Sequence, residues 1–460
     1  MSDSETRPQV GKFVTGSLMR HVAVMSLSGA LGLSFTFLVD FLALFWISRR
    51  GIQAEMAAVG IAGTIQFAIL SLGIGMMIGA VALVARSIGM GDRPRARRIA
   101  TTAMVLTVLV QVVLSLLIWV FRTEILSASG AEGQVLSLSV DFLAITLPSM
   151  PLIAAGILAS TLLRTIGDAW RSMAVTMTGG AVAVVLDPLL IIWMDMGIMG
   201  AGWSIVLARF AVVAVGFWFA SGVRDLLARP AWIDIRTFTR PYAAIALPAV
   251  ATQLSTPFGN WILTREIAAY GEEAVAGWSV IMRLTILAFG GIFALSGAIG
   301  GIIGQNYGAG RPDRVAEAFI AALKFCAAYT LVTWLLMAVL SGQIVAAFHL
   351  APLGEAVLRS FTHWAAGAFV LTGALFVANA TFNNLGRPLM STGANWFRDG
   401  ILMLPLSIVF AGALGAEGIV WANAAANVIA GGIAAWFAWR YIGGLVRQAP
   451  VRGPRSGLSA

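Results

Sequence analysis

Long apolar runs are the feature that most constrains the fold of this chain. Only 11% of the 460 residues are charged, whereas soluble domains carry roughly 25%. A helix of about 20 apolar residues spans the hydrocarbon core of a bilayer, and the runs lack the alternating period of membrane strands. The sequence therefore predicts an all-α membrane protein with twelve transmembrane helices, near residues 17–47, 57–85, 99–121, 137–163, 171–194, 199–222, 241–268, 276–304, 315–342, 358–384, 396–413 and 417–441.

The positions of the basic residues predict the orientation of the chain. Cytoplasmic loops of membrane proteins carry excess Lys and Arg. If the N-terminus is inside, most basic residues fall on inside segments, including Arg164, Arg398 and the five arginines of "ARSIGMGDRPRARR" at 85–98. The outside connections then hold only Arg49, Arg50, Arg122, Arg265, Arg283 and Arg359. We therefore predict a multi-pass protein of the inner (plasma) membrane with both termini in the cytoplasm. The net charge of +9 needs no nucleic-acid partner.

Enzyme chemistry and covalent cross-links find no support in the sequence. The three histidines show no metal-ligand spacing, and no phosphate loop, nucleophile elbow or cofactor motif is present. The single cysteine, Cys326, excludes a disulfide framework. The polar and basic start, "MSDSETRPQVGKFVTGSLMR", does not resemble a cleavable signal. We expect a monomer in the lipid bilayer without a bound metal or cofactor, which uses an ion gradient as its energy source.

An internal repeat divides the chain into two halves. Three pairs of segments, spaced by 219, 219 and 218 residues, show it: "IGMGDR" (88–93) with "YGAGRP" (307–312), "LLRTIGD" (162–168) with "TFNNLGR" (381–387), and "GIMGAGW" (197–203) with "GAEGIVW" (415–421). Because each half holds six spans, the halves enter the membrane in the same direction and are related by an axis along the membrane normal. The repeat predicts an N-lobe at 1–230 and a C-lobe at 231–460 that rock around a central cavity. A channel is the alternative, although a pore is more often built by several identical subunits.

The chain resembles the multidrug and toxic compound extrusion (MATE) transporters over roughly 17–441. The resemblance rests on these segments: "AAVGIAGTIQFAILSLGIGMMIGAVALVARSIGMGDRPRARR" (57–98), "LLRTIGDAWRSM" (162–173), "VLDPLLI" (185–191), "EAVAGWSVIMRL" (273–284), "GQNYGAGRPDRV" (304–315) and "LGRP" (385–388). It implies an antiporter that exports cationic or amphipathic organic compounds in exchange for H⁺ or Na⁺. The acid in the fifth span and the lack of one in the tenth imply the DinF-like branch of the family.

Ionisable residues inside the membrane are functional candidates because their burial is costly. Asp40, in the outer half of the first span, can exchange a proton or attract a cation. The resemblance places an acid eight residues before Gly51, where this chain has Ala43, so Asp40 lies one helical turn earlier on the same face. The other reading of Asp40 is an interfacial carboxylate that only caps or pairs.

Asp187 matches an acidic residue that the DinF-like branch places in its cation site. Pro188 frees a backbone carbonyl in the preceding turn, and that oxygen can face a cation or water. Four residues before Asp187, where that branch often has Asn, this chain has Ala183. A ligand for Na⁺ is thus missing, which favours H⁺ as the coupling ion. The other reading is that Asp187 supports helix packing.

Arg209 lies near the middle of the sixth span, where a lone guanidinium needs a carboxylate partner. We therefore predict a charge cluster of Asp40, Asp187 and Arg209 in which protonation of a carboxylate loosens an ion pair. The alternative is that Arg209 extends along the helix to the inner interface.

Four further residues are predicted to line the central cavity. Asn260 lies opposite Asp40 in the repeat, and Asn379 lies in the tenth span; each can also serve as an interhelical hydrogen-bond partner. Pro148 and Pro257 are expected to bend helices beside the cleft.

Two other functions stay open. A flippase for lipid-linked precursors shares this two-lobe plan, but would need several cations in its cavity to hold phosphate groups, and this chain places few at membrane depth. A transporter with degenerate coupling is suggested by Ala43 and Ala183.

Overall fold

The computed structural model describes residues 11–448, and it is helical throughout this range apart from short connections. Residues 1–10 and 449–460, with both chain ends and with Arg7, Arg452 and Arg455, lie outside it. The helices that correspond to the predicted spans are α1 (Leu18–Ser48), α2 (Gln53–Gly89), α3 (Arg93–Val120), α4 (Gly133–Thr165), α5 (Ala169–Trp193), α6 (Gly197–Val223), α7 (Trp232–Ala268), α8 (Glu272–Ala288 and Gly290–Gly308), α9 (Pro312–Phe348), α10 (Ala365–Asn384), α11 (Pro388–Leu414) and α12 (Ala416–Gln448). Three short helices, Lys12–Val14, Arg122–Ala128 and Pro352–His363, complete this part of the chain.

The helices have the length and composition of membrane spans. Ten of them, in the described part of the chain, are long and apolar enough to cross a membrane, and the two halves of α8, which meet at a bend of 49°, add an eleventh. The remaining helix, α7, contains three internal prolines and carries the polar stretch "TQLST" at 252–256. The prediction of an all-α membrane protein is thus confirmed.

The repeated glycine motifs form the turns that start four of the helices. The glycines of these turns are Gly91, Gly167, Gly310 and Gly386, and all four have positive φ, a conformation that glycine adopts without strain. In the N-terminal half Asp92 and Asp168 follow the glycine and cap α3 and α5 with their side chains. In the C-terminal half Pro312 and Pro388 instead occupy the first helical position. The same turn is therefore built with two different helix starts.

The first helix of each half packs against the opposite half. The N-lobe contains α1–α6 and the C-lobe contains α7–α12, and the predicted boundary at 230/231 falls just before α7 starts. Leu18, Val22 and Met25 of α1 are buried in the core of the C-lobe. Phe238 and Tyr242 of α7 are buried in the core of the N-lobe. The two lobes are therefore held together by a reciprocal crossing of their first helices.

A seam of close backbone contacts joins the lobes at the face that carries Lys12 and Gln448, which we call the terminal face. A Cβ atom on Gly89, at the end of α2, would lie 2.0 Å from the carbonyl oxygen of Gln305 in α8. A Cβ atom on Gly308, at the end of α8, would lie 2.1 Å from the carbonyl oxygen of Arg86 in α2. The two glycines are 219 residues apart, so the repeat places one at each side of the seam.

Hydrogen bonds between the lobes reinforce the seam. The Arg86 guanidinium donates from Nε to the carbonyl oxygen of Asn384 at 2.7 Å. The Gln305 amide donates to the carbonyl oxygen of Thr165 at 2.7 Å and accepts from the backbone N–H of Phe13 at 3.0 Å. The structure is therefore closed at the terminal face.

Candidate ion-coupling and substrate sites

A cavity of about 440 Å³ lies inside the N-lobe. Asp40, Asp187 and Arg209 all line it, although they come from α1, α5 and α6. Ala43 and Ala183, which stand where the resemblance implies polar ligands, line the same cavity. The structure therefore brings together the three ionisable residues that the sequence singled out. The two alanines that stand in place of polar ligands lie beside them.

Asp187 is the buried carboxylate of this cavity. Its exposed fraction is 2%, and its Oδ2 atom has no hydrogen-bond partner among the described residues. Directly after it, Pro188–Trp193 winds as a π-helix, an irregularity that often marks functional sites. A carboxylate oxygen without a partner at membrane depth can relieve the cost of its burial by binding a proton or a small cation.

Asp40 lies closer to the mouth of the cavity. Its side chain is exposed, and it lines the same cavity as Asp187. Like charges that share one cavity repel each other, so uptake of a proton by either carboxylate relieves the repulsion. Asp40 and Asp187 therefore form a pair of titratable groups that line one cavity, one with an exposed side chain and one enclosed.

The prediction of an ion pair between Arg209 and a carboxylate is wrong. Arg209 donates from Nη2 to Gln66 Oε1 at 2.6 Å, and from Nη1 to the carbonyl oxygen of Thr146 and to Ser149 Oγ, both at 2.8 Å. None of the ion pairs among residues 11–448 includes Arg209. Neutral oxygens satisfy the guanidinium instead, so its positive charge stays uncancelled beside the two carboxylates.

The break in α4 explains how Arg209 finds a backbone acceptor. Pro148 lies in the 3₁₀ turn Leu147–Ser149 that interrupts α4, and there the backbone N–H of Met150 donates to Leu147 rather than to Thr146. The carbonyl oxygen of Thr146 is thereby released and accepts from Arg209. Pro148 was predicted to bend a helix beside the central cleft, but its turn lies inside the N-lobe and supports Arg209.

A second cavity, of about 250 Å³, lies between the lobes. It is lined by α2 and α4 from the N-lobe and by α7, α8, α10 and α11 from the C-lobe. Asn379 lines it as predicted, whereas Asn260 and Pro257 are absent from the linings of the N-lobe and inter-lobe cavities. Arg164, at the end of α4, also lines the inter-lobe cavity, and its predicted place in an inside segment stays a prediction.

The C-lobe contains a buried ion pair that was not predicted from the sequence. Arg398 and Asp399, with exposed fractions of 6% and 2%, lie in a π-helical turn of α11. Arg398 donates from Nε and Nη2 to the two carboxylate oxygens of Asp399, both at 2.7 Å. Arg398 also donates to Thr256, which lines the inter-lobe cavity.

The prediction that Arg398 lies in an inside segment is wrong. Helix α11 already begins at Pro388, so Arg398 is about 15 Å along the helix.

We expect this pair to be necessary for the stability of the C-lobe. Asp399→Ala leaves the Arg398 guanidinium buried without a partner, which destabilises the fold by about 3–5 kcal/mol. Replacing both residues together, by Met and Leu, should restore most of the loss because no charge is then buried. Thermal unfolding of the purified protein in detergent measures both effects. Glu355→Ala is the control: it breaks the exposed Glu355–Arg359 pair and should change stability by at most about 1 kcal/mol. An equal effect of Asp399→Ala and Glu355→Ala would contradict the assignment.

Among residues 11–448, no group of three or more His, Cys, Asp or Glu side chains could hold a metal ion. Two six-helix lobes that are sealed at one face, with one cavity inside the N-lobe and a polar cavity between the lobes, are the architecture of a membrane transporter.

Comparisons with known proteins identify the family. A family model described as MatE matches residues 30–189 and 248–409, and the chain belongs to this family of multidrug transporters. A protein of Shewanella oneidensis named "FAD transporter" is 28% identical over 84% of this chain and 87% of its own length. The "Probable multidrug resistance protein YpnP" of Bacillus subtilis is 21% identical over 88% and 92%.

The solved structures agree with the fold. A structure described as the outward-facing conformation of a multidrug resistance MATE family transporter of the MOP superfamily matches with a TM-score of 0.88 at 21% identity, and it covers 96% of this chain and 99% of that one. The predicted family and fold are thus confirmed, and the chain is a multi-pass membrane transporter rather than an enzyme. The narrower DinF-like branch stays a prediction.

Proposed function

We propose that this protein is a secondary active exporter of organic compounds, driven by an inward flow of protons that bind to Asp40 and Asp187 in the N-lobe. The observation that carries this proposal is the Asp187 carboxylate, which is buried with an unpartnered oxygen in a cavity that also holds Asp40 and Arg209. In the proposed cycle, proton uptake changes the charge of this cavity and thereby the packing of α1, α5 and α6. The lobes then separate at the terminal face and release the seam.

Protons fit this cavity better than sodium does. Na⁺ prefers several oxygen ligands, and two positions that could supply them carry Ala43 and Ala183. The guanidinium of Arg209 in the same cavity repels a second cation, whereas a proton that joins a carboxylate forms a neutral group. The resemblance left H⁺ and Na⁺ open, and the cavity favours H⁺.

The orientation is part of the proposal. We propose that the protein lies in the inner membrane with the terminal face in the cytoplasm, because the basic turns at Arg93–Arg98 and around Arg311 lie on that face. The structure is then the outward-facing state, and the N-lobe cavity receives protons from outside.

The cargo is an organic compound that fits between the lobes. The resemblance implied cationic or amphipathic compounds, and the Shewanella relative named as a FAD transporter adds a flavin dinucleotide to the compounds that should be tested. The flippase alternative is less well supported, because Arg164 is the one charged side chain in the described lining of the inter-lobe cavity, whereas a lipid phosphate would need several cations.

Export from inverted membrane vesicles tests the proposed function. Vesicles that contain the protein should accumulate a fluorescent substrate when their interior is acidified, and should not respond to an imposed Na⁺ gradient. Several organic cations and a flavin should be tried, because the cargo is not fixed. Vesicles without the protein are the control. A failure of every compound to respond to either gradient would overturn the proposal, and a response to Na⁺ alone would reassign the coupling ion.

A further inference from the structure

The charge of the inter-lobe cavity is set by one residue. Arg164, at the end of α4, is the one charged side chain in its described lining. The polar remainder of the lining consists of neutral amides and hydroxyls, among them Asn379, Asn383 and Asn384. The cavity therefore carries a net positive charge, and an organic cation that enters it meets a like charge in a partly desolvated space.

The positive charge of Arg164 is not neutralised by the protein. Its Nε donates to Ser172 Oγ at 3.3 Å, and Ser172 is itself held by the hydroxyl of Ser160. No other hydrogen bond of Arg164 and no ion pair is formed among residues 11–448. One anchored nitrogen fixes the direction of the guanidinium, and the two terminal nitrogens keep four N–H donors for a ligand.

Two features show that this guanidinium differs from the other deep arginines. Arg209 is satisfied by three neutral oxygens, and Arg398 is paired with Asp399. Gly297 leaves the space into which Arg164 extends, because a Cβ atom there would lie 3.0 Å from Arg164 Nη1. Of these three arginines, Arg164 is the one whose donors remain available beside a cavity.

Unpartnered amide oxygens lie in the same cavity. The Oδ1 atoms of Asn379, Asn383 and Asn384 are buried and accept no hydrogen bond from the described residues. An unsatisfied buried acceptor destabilises the structure, and a ligand that supplies N–H donors removes that cost. Asn383 and Asn384 are more than nine-tenths buried, with exposed fractions of 3% and 2%. These acceptors lie within the cavity wall, so rotation of an asparagine side chain is needed to bring one of them to a donor of a ligand.

The apolar part of the lining suits a flat ring. Phe293 of α8 and Phe376 of α10 both line the cavity, and their ring centroids are 5.7 Å apart. Met77 of α2 lies in the lining from the N-lobe, and its flexible thioether packs well against aromatic faces. Aromatic and apolar walls with a few placed polar groups are typical of sites for small organic molecules.

We propose that the inter-lobe cavity binds a planar organic anion, with its carboxylate or phosphate on Arg164 and its ring N–H donors on the asparagine oxygens. The proposal rests on the proposed export function and names the class of cargo. It differs from the cationic class that the family resemblance implied. Arg164 is the residue that decides the sign of the charge the cavity accepts.

Binding of two flavins that differ by one phosphate tests the proposal. Riboflavin and flavin mononucleotide share the same ring with an imide N–H, and only the mononucleotide carries the anion. Titration of the purified full-length protein in detergent, followed by flavin fluorescence, gives a Kd for each. We expect the mononucleotide to bind about tenfold to a hundredfold more tightly, the effect of one charge-assisted hydrogen-bonded contact. Equal affinities, or tighter binding of the cation ethidium than of the mononucleotide, would overturn the proposal.

Variants assign the effect to Arg164. Arg164→Gln should remove the preference for the mononucleotide and leave riboflavin binding intact, which also shows that the variant is folded. Arg164→Lys should keep part of the preference. Should Arg164→Gln not fold, Asn379→Asp places a carboxylate in the same cavity and should abolish the preference. Arg265→Gln, at an exposed arginine, is the matched control. An unchanged preference in Arg164→Gln or Asn379→Asp would contradict the assignment.

This binding assay is independent of ion coupling because no gradient is present. If vesicle export fails while the flavin preference is observed, the proposed function is wrong and the anion site stands. If export works and the preference is missing, the function stands and the anion site is wrong.

Discussion

Asp187→Asn should abolish proton-driven export. An amide cannot take up and release a proton at this position, so the cavity no longer changes charge at Asp187 during the cycle. We expect export driven by an imposed pH gradient to fall by about a hundredfold, the upper range of coupling between two sites. The measurement is substrate-induced proton release from inverted vesicles, read with a pH-sensitive dye. Arg209→Gln should have the same effect, because it removes the fixed charge beside the two carboxylates.

The control for this prediction is Asp141→Asn, the same substitution on an exposed side chain of α4. It should leave export unchanged. Asp40→Asn should reduce export and shift its dependence on external pH, since Asp40 lies at the mouth of the cavity. Full pH-driven activity in both Asp187→Asn and Arg209→Gln would remove these residues from the coupling mechanism.

Gly89→Ala and Gly308→Ala should each prevent closure of the terminal face. The added methyl group would lie 2.0 Å or 2.1 Å from a backbone carbonyl oxygen of the opposite lobe, and backbone cannot move aside as a flexible side chain can. Overpacking of this kind costs about 1–3 kcal/mol or more. We therefore expect the population of the closed seam to fall about tenfold or further, and export to fall with it.

Cysteine labelling measures the opening of the seam. In a Cys326→Ala background, Ala85→Cys introduces a thiol at a fully buried position of α2, next to Gly304 of α8. Its reaction with a polar maleimide in detergent should be at least about tenfold faster after Gly308→Ala, following the shift in population. Gly342→Ala, in α9 with nothing within 4 Å of the added carbon, is the control. Equal labelling rates in all three proteins would show that the seam is not a gate.

The fold could be predicted in detail because the membrane imposes its own lengths on the sequence. Each predicted span corresponds to a helix, and the repeat placed Gly89 and Gly308 in equivalent positions. The broken helices were harder to predict. The bend in α8 after Ala288 lies within an apolar run, and such a run reports hydrophobicity but not helix direction. A break at Pro148 was expected from the proline, but its place inside the N-lobe was not.

The candidate sites were only partly predictable. Asp187 was identified because a carboxylate within an apolar run is conspicuous. Arg398 and Asp399 were missed because the predicted span began at 396, which placed both residues near its end; the residue pair itself, inside "NWFRDGILML", was the available signal. The partners of Arg209 could not be predicted, since Gln66, Thr146 and Ser149 meet it only through packing of α2 and α4 against α6.

Because the guanidinium of Arg209 keeps its charge, two protons can reverse the sign of the net charge of the N-lobe cavity. Arginine stays protonated throughout the working range, so the three groups sum to minus one with both carboxylates ionised and to plus one with both neutral. A charged solute that enters this cavity therefore meets an attractive field in one protonation state and a repulsive field in the other. Protonation of both carboxylates should then weaken the entry of a cation and favour that of an anion.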